Sequence, residues 1–505
     1  MKKIIVLPLD ERPCNYNFNY LMALETNYEI IRPPLNILGD KKKPGNINKI
    51  NQWLKEVSQD AYGAIIAVDI LVYGGIVPSR LHYDDVSTLK ARLETLKEIK
   101  RQNKDIKLFA YNLLMRNPAY SSSEEEPDYY ETEGRNIHLF GVYQHKIEIG
   151  EITDTEKESY EKIKKTINYD NLNDYLTRRE KNIEINKEFL QYVKKEIIDF
   201  AIIPQDDSSP YGLTAKDQQT IRKQISTLGI QLKCYMYPDA DAVTNSLLSR
   251  MIMSDNNLTP KVYLRYSSVN AGSIIPQYED RYLEETLKYH ILTAGGMITA
   301  SEDNADVILL VNSPSTNMMG AYNQHIKTIY YDAFRTLIEH VEYANYAINV
   351  LEKPVVIADV AYGNGGDIEF FNLLNQKDLL YKVSSYAGWN TSSNTLGTAI
   401  PYGFINLIYP NRDSRFDFLS LRYVEDIGYC SVVRQKIISE LKEPYHRFYL
   451  DGKKGKIVSD IKKGLDDFIK EELNNEEREI IIKDIYSPWN RTFEVGLTVK
   501  YREKK

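Results

Sequence analysis

Phe200-Ala-Ile-Ile-Pro-Gln-Asp-Asp-Ser-Ser-Pro-Tyr-Gly212 is an apolar run that stops at two adjacent carboxylates and then turns through Ser, Pro and Gly. The run is too short for a helix and meets Pro204, so it reads as a strand buried on both faces that delivers Asp206 and Asp207 to its C-terminal end. A helix is expected to follow from about Thr214, with Thr214 as N-cap and Asp217 completing a near capping box. In parallel α/β sheets and barrels, ligands bind at the carboxyl ends of strands, which is where the two aspartates fall. Two adjacent carboxylates in a partly buried place cannot both ionise cheaply, so the pair is suited to dividing acid and base roles. The structural alternative has one Asp capping the turn and the other solvated.

Working outward, short apolar runs alternate with amphipathic segments. Strands are expected at Lys3–Pro8, Tyr28–Arg32, Ala64–Asp69, Lys107–Asn112, Phe200–Pro204 and Gln231–Tyr237, at the spacing of βαβ units. The fold class that follows is α/β, with a mostly parallel sheet, open or barrel-like, in an N-terminal domain over 1–258. The interval from about 118 to 199 is charged and helical in pattern, and reads as a helical insertion. Its Ser121-Ser-Ser-Glu-Glu-Glu-Pro-Asp128 segment has the character of a surface loop whose glutamates form a solvated face.

A second α/β domain is expected over 259–420. Its strands are Val262–Tyr266, Met297–Ala300, Asp306–Asn312, Pro354–Val360 and Tyr381–Tyr386, with a helix over Asn323–Leu351, a succession that suits a flavodoxin- or Rossmann-like sheet. Residues 421–505 read as a helical and strand cap ending in an antiparallel strand, Thr492–Tyr501.

The 505 residues are 43% hydrophobic and 27% charged, an ordinary globular balance. The net charge of −7 argues against nucleic acid as a partner. No apolar run is long enough to span a bilayer, and Met1-Lys-Lys-Ile-Ile-Val-Leu-Pro-Leu-Asp10 is too short for a signal peptide, so a cytoplasmic protein is expected. Cys14, Cys234 and Cys430 follow no metal or redox spacing, which fits a reducing compartment.

Strand ends carry the remaining candidates. The first strand ends in Asp10, Glu11 and Arg12, for which an internal salt bridge competes with a ligand contact. The third ends in Asp69 followed by Gly74 and Gly75, a weak basis for a phosphate loop. Asn112 and Arg116 follow the fourth strand. Asp239 and Asp241 follow the sixth, and one of them is expected to cap the next helix. In the second domain Asp359-Val-Ala-Tyr-Gly-Asn-Gly-Gly-Asp367, with Asn364, is a strand end running into a glycine-rich loop. Tyr386-Ala-Gly-Trp-Asn-Thr-Ser-Ser-Asn-Thr-Leu-Gly397 presents Trp389 beside Asn390 and Asn394, a flat apolar face among amides that suits a polyhydroxylated ring. A buried Trp in an Asn/Thr-rich turn is the rival reading.

The segments Leu7–Asn15, Gln205–Gly212, Tyr237–Asp241, Asp359–Asp367 and Tyr386–Thr391 resemble a bacterial family of unknown function, DUF4127, over most of the chain. That family shows an Asp-Glu pair where this chain has Asp241-Ala242, which weakens a catalytic reading of Asp241. The family name carries no activity. The adjacent carboxylates are similar in arrangement to those of hexosaminidase-type glycosidases, an analogy of site only.

The first expectation is therefore a glycoside hydrolase on a small sugar. Asp206 and Asp207 are catalytic; Asp10, Glu11, Arg12, Asp69, Asn112, Asp239, Asp359, Asn364, Trp389, Asn390 and Asn394 bind substrate; no cofactor is needed. Two alternatives stay open: a hydrolase or lyase using strand-end aspartates to hold Mg²⁺ or Mn²⁺, and a two-domain protein that binds a small polar ligand without turnover.

Overall fold

The computed structural model describes residues 1–326 and 328–504, which divide into two compact units. The first unit comprises Met1–Glu11, Tyr28–Thr244 and Tyr278–Asp280; the second comprises Arg12–Asn27, Asn245–Gln277 and Arg281–Lys505. Each is described by itself.

In the first unit six strands form one sheet: β1 (Lys2–Leu7), β2 (Tyr28–Ile31), β3 (Gly63–Ala67), β4 (Lys107–Tyr111), β5 (Phe200–Gln205) and β6 (Cys234–Pro238). Their order is β2-β1-β3-β4-β5-β6, with every pairing parallel. The sheet is open and doubly wound, which decides between the open and barrel alternatives. β3 and β5 are buried along their whole length, which is why their sequences are continuous apolar runs.

β5 continues through Pro204 to Gln205, beyond the end expected from the sequence. The Pro204 carbonyl accepts from Leu114 N at 3.1 Å, on the side where β4 has already ended. The rung that an N–H at 204 would supply is replaced by the Asn186 amide, which reaches the carbonyls of Asn112 at 3.5 Å and Leu113 at 3.3 Å. Proline is tolerated because a side chain takes over its missing donor.

Asn186 lies on the last helix of the insertion between β4 and β5, which forms as Tyr130–Glu148, Asp154–Thr166 and Tyr169–Lys194. A Thr153/Glu156 capping box starts the second of these helices and Asn168 caps the third. The insertion has a small core of its own around Tyr130, Ile137, Ile163, Leu172 and Tyr175. The helix after β5 starts at Leu213 behind Gly212, without a side-chain cap. Thr214 instead donates to Met115 O at 3.3 Å, and Asp217 pairs with Arg179, so the expected capping box does not form.

In the second unit the strands are β7 (Lys261–Tyr266), β8 (Met297–Ile298), β9 (Val307–Asn312), β10 (Met319–Gly320), β11 (Val355–Asp359), β12 (Tyr362–Gly363), β13 (Ser385–Ala387), β14 (Arg478–Tyr486) and β15 (Gly496–Glu503). Five of them make a second parallel sheet in the order β13-β11-β9-β7-β8, the flavodoxin-like arrangement the sequence suggests. β10 and β12 form a short parallel pair, and β14 and β15 a bulged antiparallel pair.

The helix expected over Asn323–Leu351 forms only over Leu337–Asn349; Lys327, inside that expected span, lies outside the described residues. Among the described residues no helix is long and apolar enough to cross a membrane.

Candidate functional site

The sequence-predicted residues fall into two groups, one in each unit. In the first unit Asp10, Glu11, Asp69, Asn112, Asp206, Asp207 and Asp239 all follow the carboxyl ends of sheet strands. Tyr111, at the end of β4, bonds Thr244 Oγ1 at 2.9 Å, and its hydroxyl lies within the electrostatic reach of Asp69, Asp10 and Asp241. Asp69 accepts from Leu113 N at 3.0 Å, tying the end of β3 to the end of β4. Asp239 accepts from Ala240 N at 2.6 Å and Ala242 N at 3.1 Å, so it closes the turn into the helix Val243–Asp255, as one of the two carboxylates there was expected to do.

Asp206 and Asp207 take opposite partners. Asp207 has φ of 43°, a left-handed conformation that Asp tolerates better than most residues, and the kink lets the consecutive side chains separate. Arg80 Nη2 donates to Asp206 Oδ2 at 2.7 Å, and Arg116 Nη1 donates to Asp207 Oδ2 at 3.0 Å. The two guanidiniums are joined by a second pair of acids. Glu125 Oε2 accepts from Arg80 Nη1 and from Arg116 Nη2, each at 3.1 Å. Glu126 Oε1 accepts from Arg80 Nη1 at 3.3 Å and from Arg116 Nε at 2.8 Å.

The glutamate run expected to be a solvated face is thus a correction. Glu126 is 1% exposed and Glu125 17% exposed by side chain, because buried guanidiniums need counter-charge and this loop supplies it. Flanking pairs Lys41–Glu124 and Lys42–Asp128 staple the same loop. Arg116 is fixed from behind, its carbonyl accepting from Tyr175 Oη at 2.8 Å and Arg179 Nη1 at 2.9 Å. Arg80, Glu125 and Glu126 escaped the sequence reading. Their only signal is acids and arginines without local partners.

Burial first, and then the neighbouring Asp206, push the Asp207 carboxyl up to about 6, against the pull of Arg116 and Arg80. Asp207 keeps a quarter of its side-chain surface, at 25%, so the raised group still meets solvent. Burial pushes Asp69 up to about 7. Among the described residues no group of three or more His, Cys, Asp or Glu is arranged to hold a metal ion.

The second group is tied up internally. Asp359, at the end of β11, accepts from Asn312 Nδ2 at 2.9 Å, from Asp367 N at 2.7 Å and from Tyr386 Oη at 2.9 Å. Asp367 caps the next helix with one oxygen and takes Arg335 Nη1 at 2.6 Å with the other. The backbone N–H of Asn364 donates to Asn390 O at 2.7 Å, locking the two glycine-bearing loops together.

Trp389 is 8% exposed, edge-on to Phe18 at 5.6 Å, with Nε1 donating to Thr398 Oγ1 at 3.1 Å. The open ring face expected for a sugar is absent, because the indole finds both its apolar and its polar partner inside the unit. Asn390 donates to Asn394 Oδ1 at 2.6 Å, so those amides serve the turn. Arg12 lies over the Trp489 ring at 4.4 Å. Gly74 closes the helix Val68–Tyr73 in a left-handed conformation and accepts from Gly45 N at 2.9 Å, a turn and a close approach in place of a phosphate loop.

The family described as "Protein of unknown function (DUF4127)" matches residues 4–498. No curated protein matches the chain.

Proposed function

We propose that this chain, which belongs to the DUF4127 family, is a carbohydrate-active hydrolase working at the carboxyl edge of its six-stranded sheet, with Asp206 and Asp207 as its catalytic carboxyls. The observation that carries the reading is the consecutive pair with separate guanidinium partners, 2.7 Å for Asp206 and 3.0 Å for Asp207, and with Asp207 raised to about 6. A carboxyl that titrates near 6 holds a usable fraction of its proton near neutral pH and returns it readily, which is what a general acid requires. Asp207 protonates the leaving glycosidic oxygen. Asp206, oriented by Arg80, stabilises the positive charge that develops on the sugar ring, and water adds to the anomeric carbon and returns a proton to the Asp207 carboxylate.

Tyr120, 50% exposed and within electrostatic reach of Arg116 and Asp207, offers the aromatic face that Trp389 does not. The same reading keeps a small sugar as substrate and a cytoplasmic location, and it calls for no cofactor.

The test is hydrolysis of a panel of aryl glycosides by the wild type and by Asp207→Asn. Turnover should fall by roughly 10²–10⁴-fold in the variant. Undiminished turnover removes Asp207 from the chemistry, and loss of wild-type turnover on chelation, restored by Mg²⁺ or Mn²⁺, replaces the mechanism with a metal-assisted one.

A further inference from the structure

The second unit holds an open cavity of about 440 Å³, which falls in the range of about 300–1,000 Å³ typical of small-molecule sites. Its wall begins at Ile438, on the helix Arg434–Glu440, and continues through the segment that follows. Leu441, Tyr445 and Phe448 make part of that wall apolar, and Glu443, His446 and Arg447 make the rest polar. Four rings fall within the five residues 445–449, and Tyr449, next in the chain after the wall, is 52% exposed. Rings gathered at an exposed turn, rather than scattered singly, are the pattern of a binding surface.

The backbone under these rings is pinned. His446 N donates to Tyr449 O at 3.0 Å and Tyr449 N to His446 O at 2.8 Å, so Arg447 and Phe448 form the tip of a tight turn. The Arg447 carbonyl accepts from Thr492 N at 2.9 Å and from Thr492 Oγ1 at 3.2 Å. Leu450 N donates to Asn490 O at 3.0 Å, and Asn490 Nδ2 returns a bond to Leu450 O at 2.9 Å. A turn held in this way has already lost the freedom that binding a ligand would otherwise cost it.

The polar wall is balanced in charge and uncommitted. Glu443 and Arg447 have opposite signs, and neither forms an ion pair with another described residue. The Arg447 guanidinium lies over the Phe448 ring at 4.6 Å, an arrangement that occupies its face and leaves its N–H edge for a ligand. An anion would gain Arg447 and be repelled by Glu443, and a cation the reverse. Hydroxyl groups can use both, donating to the carboxylate and accepting from the guanidinium. We propose that this cavity is a binding site for an uncharged sugar, with Tyr445 and Phe448 against the C–H face of the ring and Glu443 and Arg447 on its hydroxyls. The site goes beyond the hydrolase reading and does not depend on it.

The experiment is calorimetric titration of the full chain with maltose, cellobiose and diacetylchitobiose, and with phenylalanine, benzoate and phosphate as charged comparators, on the wild type, Tyr445→Ala, Glu443→Gln and Arg447→Gln. At least one of the three sugars should bind, and each variant should weaken that binding by about tenfold or more, the loss of one stacking face or one hydrogen bond to a charged group. Glu443 and Arg447 are exposed, so their variants carry the test should Tyr445→Ala not fold. No binding of any of the sugars overturns the proposal, as does sugar binding that all three variants leave unchanged. Tighter binding of phenylalanine, benzoate or phosphate than of every sugar overturns it too, by making the cavity a site for a charged ligand. Turnover of aryl glycosides, measured on the same variants, should stay at the wild-type rate. A wild type that turns over no glycoside removes the hydrolase reading and leaves this test intact.

Discussion

At the scale of the residue, the candidate site depends on what one carboxyl does that its neighbour does not. Asp206 and Asp207 are adjacent in sequence, yet the left-handed backbone at Asp207 sends them to different arginines. The carboxylates were legible because a strand that ends in two acids is a recognisable pattern. Their partners were not, because Arg80 lies 126 residues from Asp206 and Arg116 lies 91 residues from Asp207, and no local rule pairs groups across such distances. Asp69 gives a prediction at this scale. Its carboxyl, raised from 3.8 to about 7 by burial, keeps its proton in the folded chain while the unfolded chain gives it up. Stability therefore falls as pH rises from about 4 through 7, by up to roughly 4 kcal/mol for a shift of this size. Asp69→Asn keeps an acceptor for Leu113 N and has nothing to ionise. Denaturant unfolding at several pH values should show the variant gaining on the wild type between pH 4 and 8. A constant difference across that range contradicts the assignment.

At the scale of the element, the glycine-rich loop after β11 looked like a place for a ligand and is a packing device. A Cβ on Gly366 would meet the Tyr386 hydroxyl, Ile427 Cδ1 at 2.6 Å and Asp359 Oδ2 at 3.1 Å. The glycine lets the loop close over a buried carboxylate, and the neighbouring Trp389 loop packs by the same logic. Sequence alone cannot separate a glycine that admits a ligand from one that admits its own protein, since both demand a missing side chain. Gly366→Ala should cost about 1–3 kcal/mol through overpacking. Gly229→Ala, with φ of 66° and open space around the added carbon, should cost only the backbone strain, about 1 kcal/mol. Urea midpoints of the two variants compare the costs. Equal losses would contradict the packing account.

At the scale of the whole molecule, two parallel sheets share the order 2-1-3-4-5, extended by a sixth strand in the first unit. Their strands were readable because strands buried on both faces are short, continuous and apolar, and the helices between them are not. The division of the chain was less readable. Arg12–Asn27 falls in the second unit although it connects two strands of the first, and residues 421–505 join the second unit. Apolar runs mark strands but carry no address for what packs around them.

Four carboxyls, the buried Asp69, Asp359 and Asp426 and the half-buried Asp207, are raised to about 6 or 7, each first by loss of solvent. All four shifts have the same sign, so their contribution to stability is full below about pH 4 and is lost as pH rises from there through 6 to 7. Of the acids with lowered values, Asp60 and Glu196 pair with lysines at the surface, where solvent screening leaves little effect, and Glu25, Asp85 and Glu131 accept from nearby backbone N–H and hydroxyl groups. His82, His138, His145 and His340, all lowered first by burial, work the other way below about pH 6.5, so scanning calorimetry should give a higher Tm near pH 6.5 than near pH 8. A Tm that climbs with pH over that interval would contradict the burial of these groups in the proton-bound form.

The most direct test of the site is the titration of Asp207 itself, followed by carboxyl ¹³C NMR on aspartate-labelled protein and assigned by the resonance missing in Asp207→Asn. The account predicts a carboxyl that titrates near pH 6, sensitive to Arg116→Gln and to Glu125→Gln in opposite directions: up when the guanidinium goes, down when the acid goes. A carboxyl that titrates near 4, unmoved by either change, would mean that Asp207 holds no proton to give near neutral pH, and the acid/base reading would fall with it.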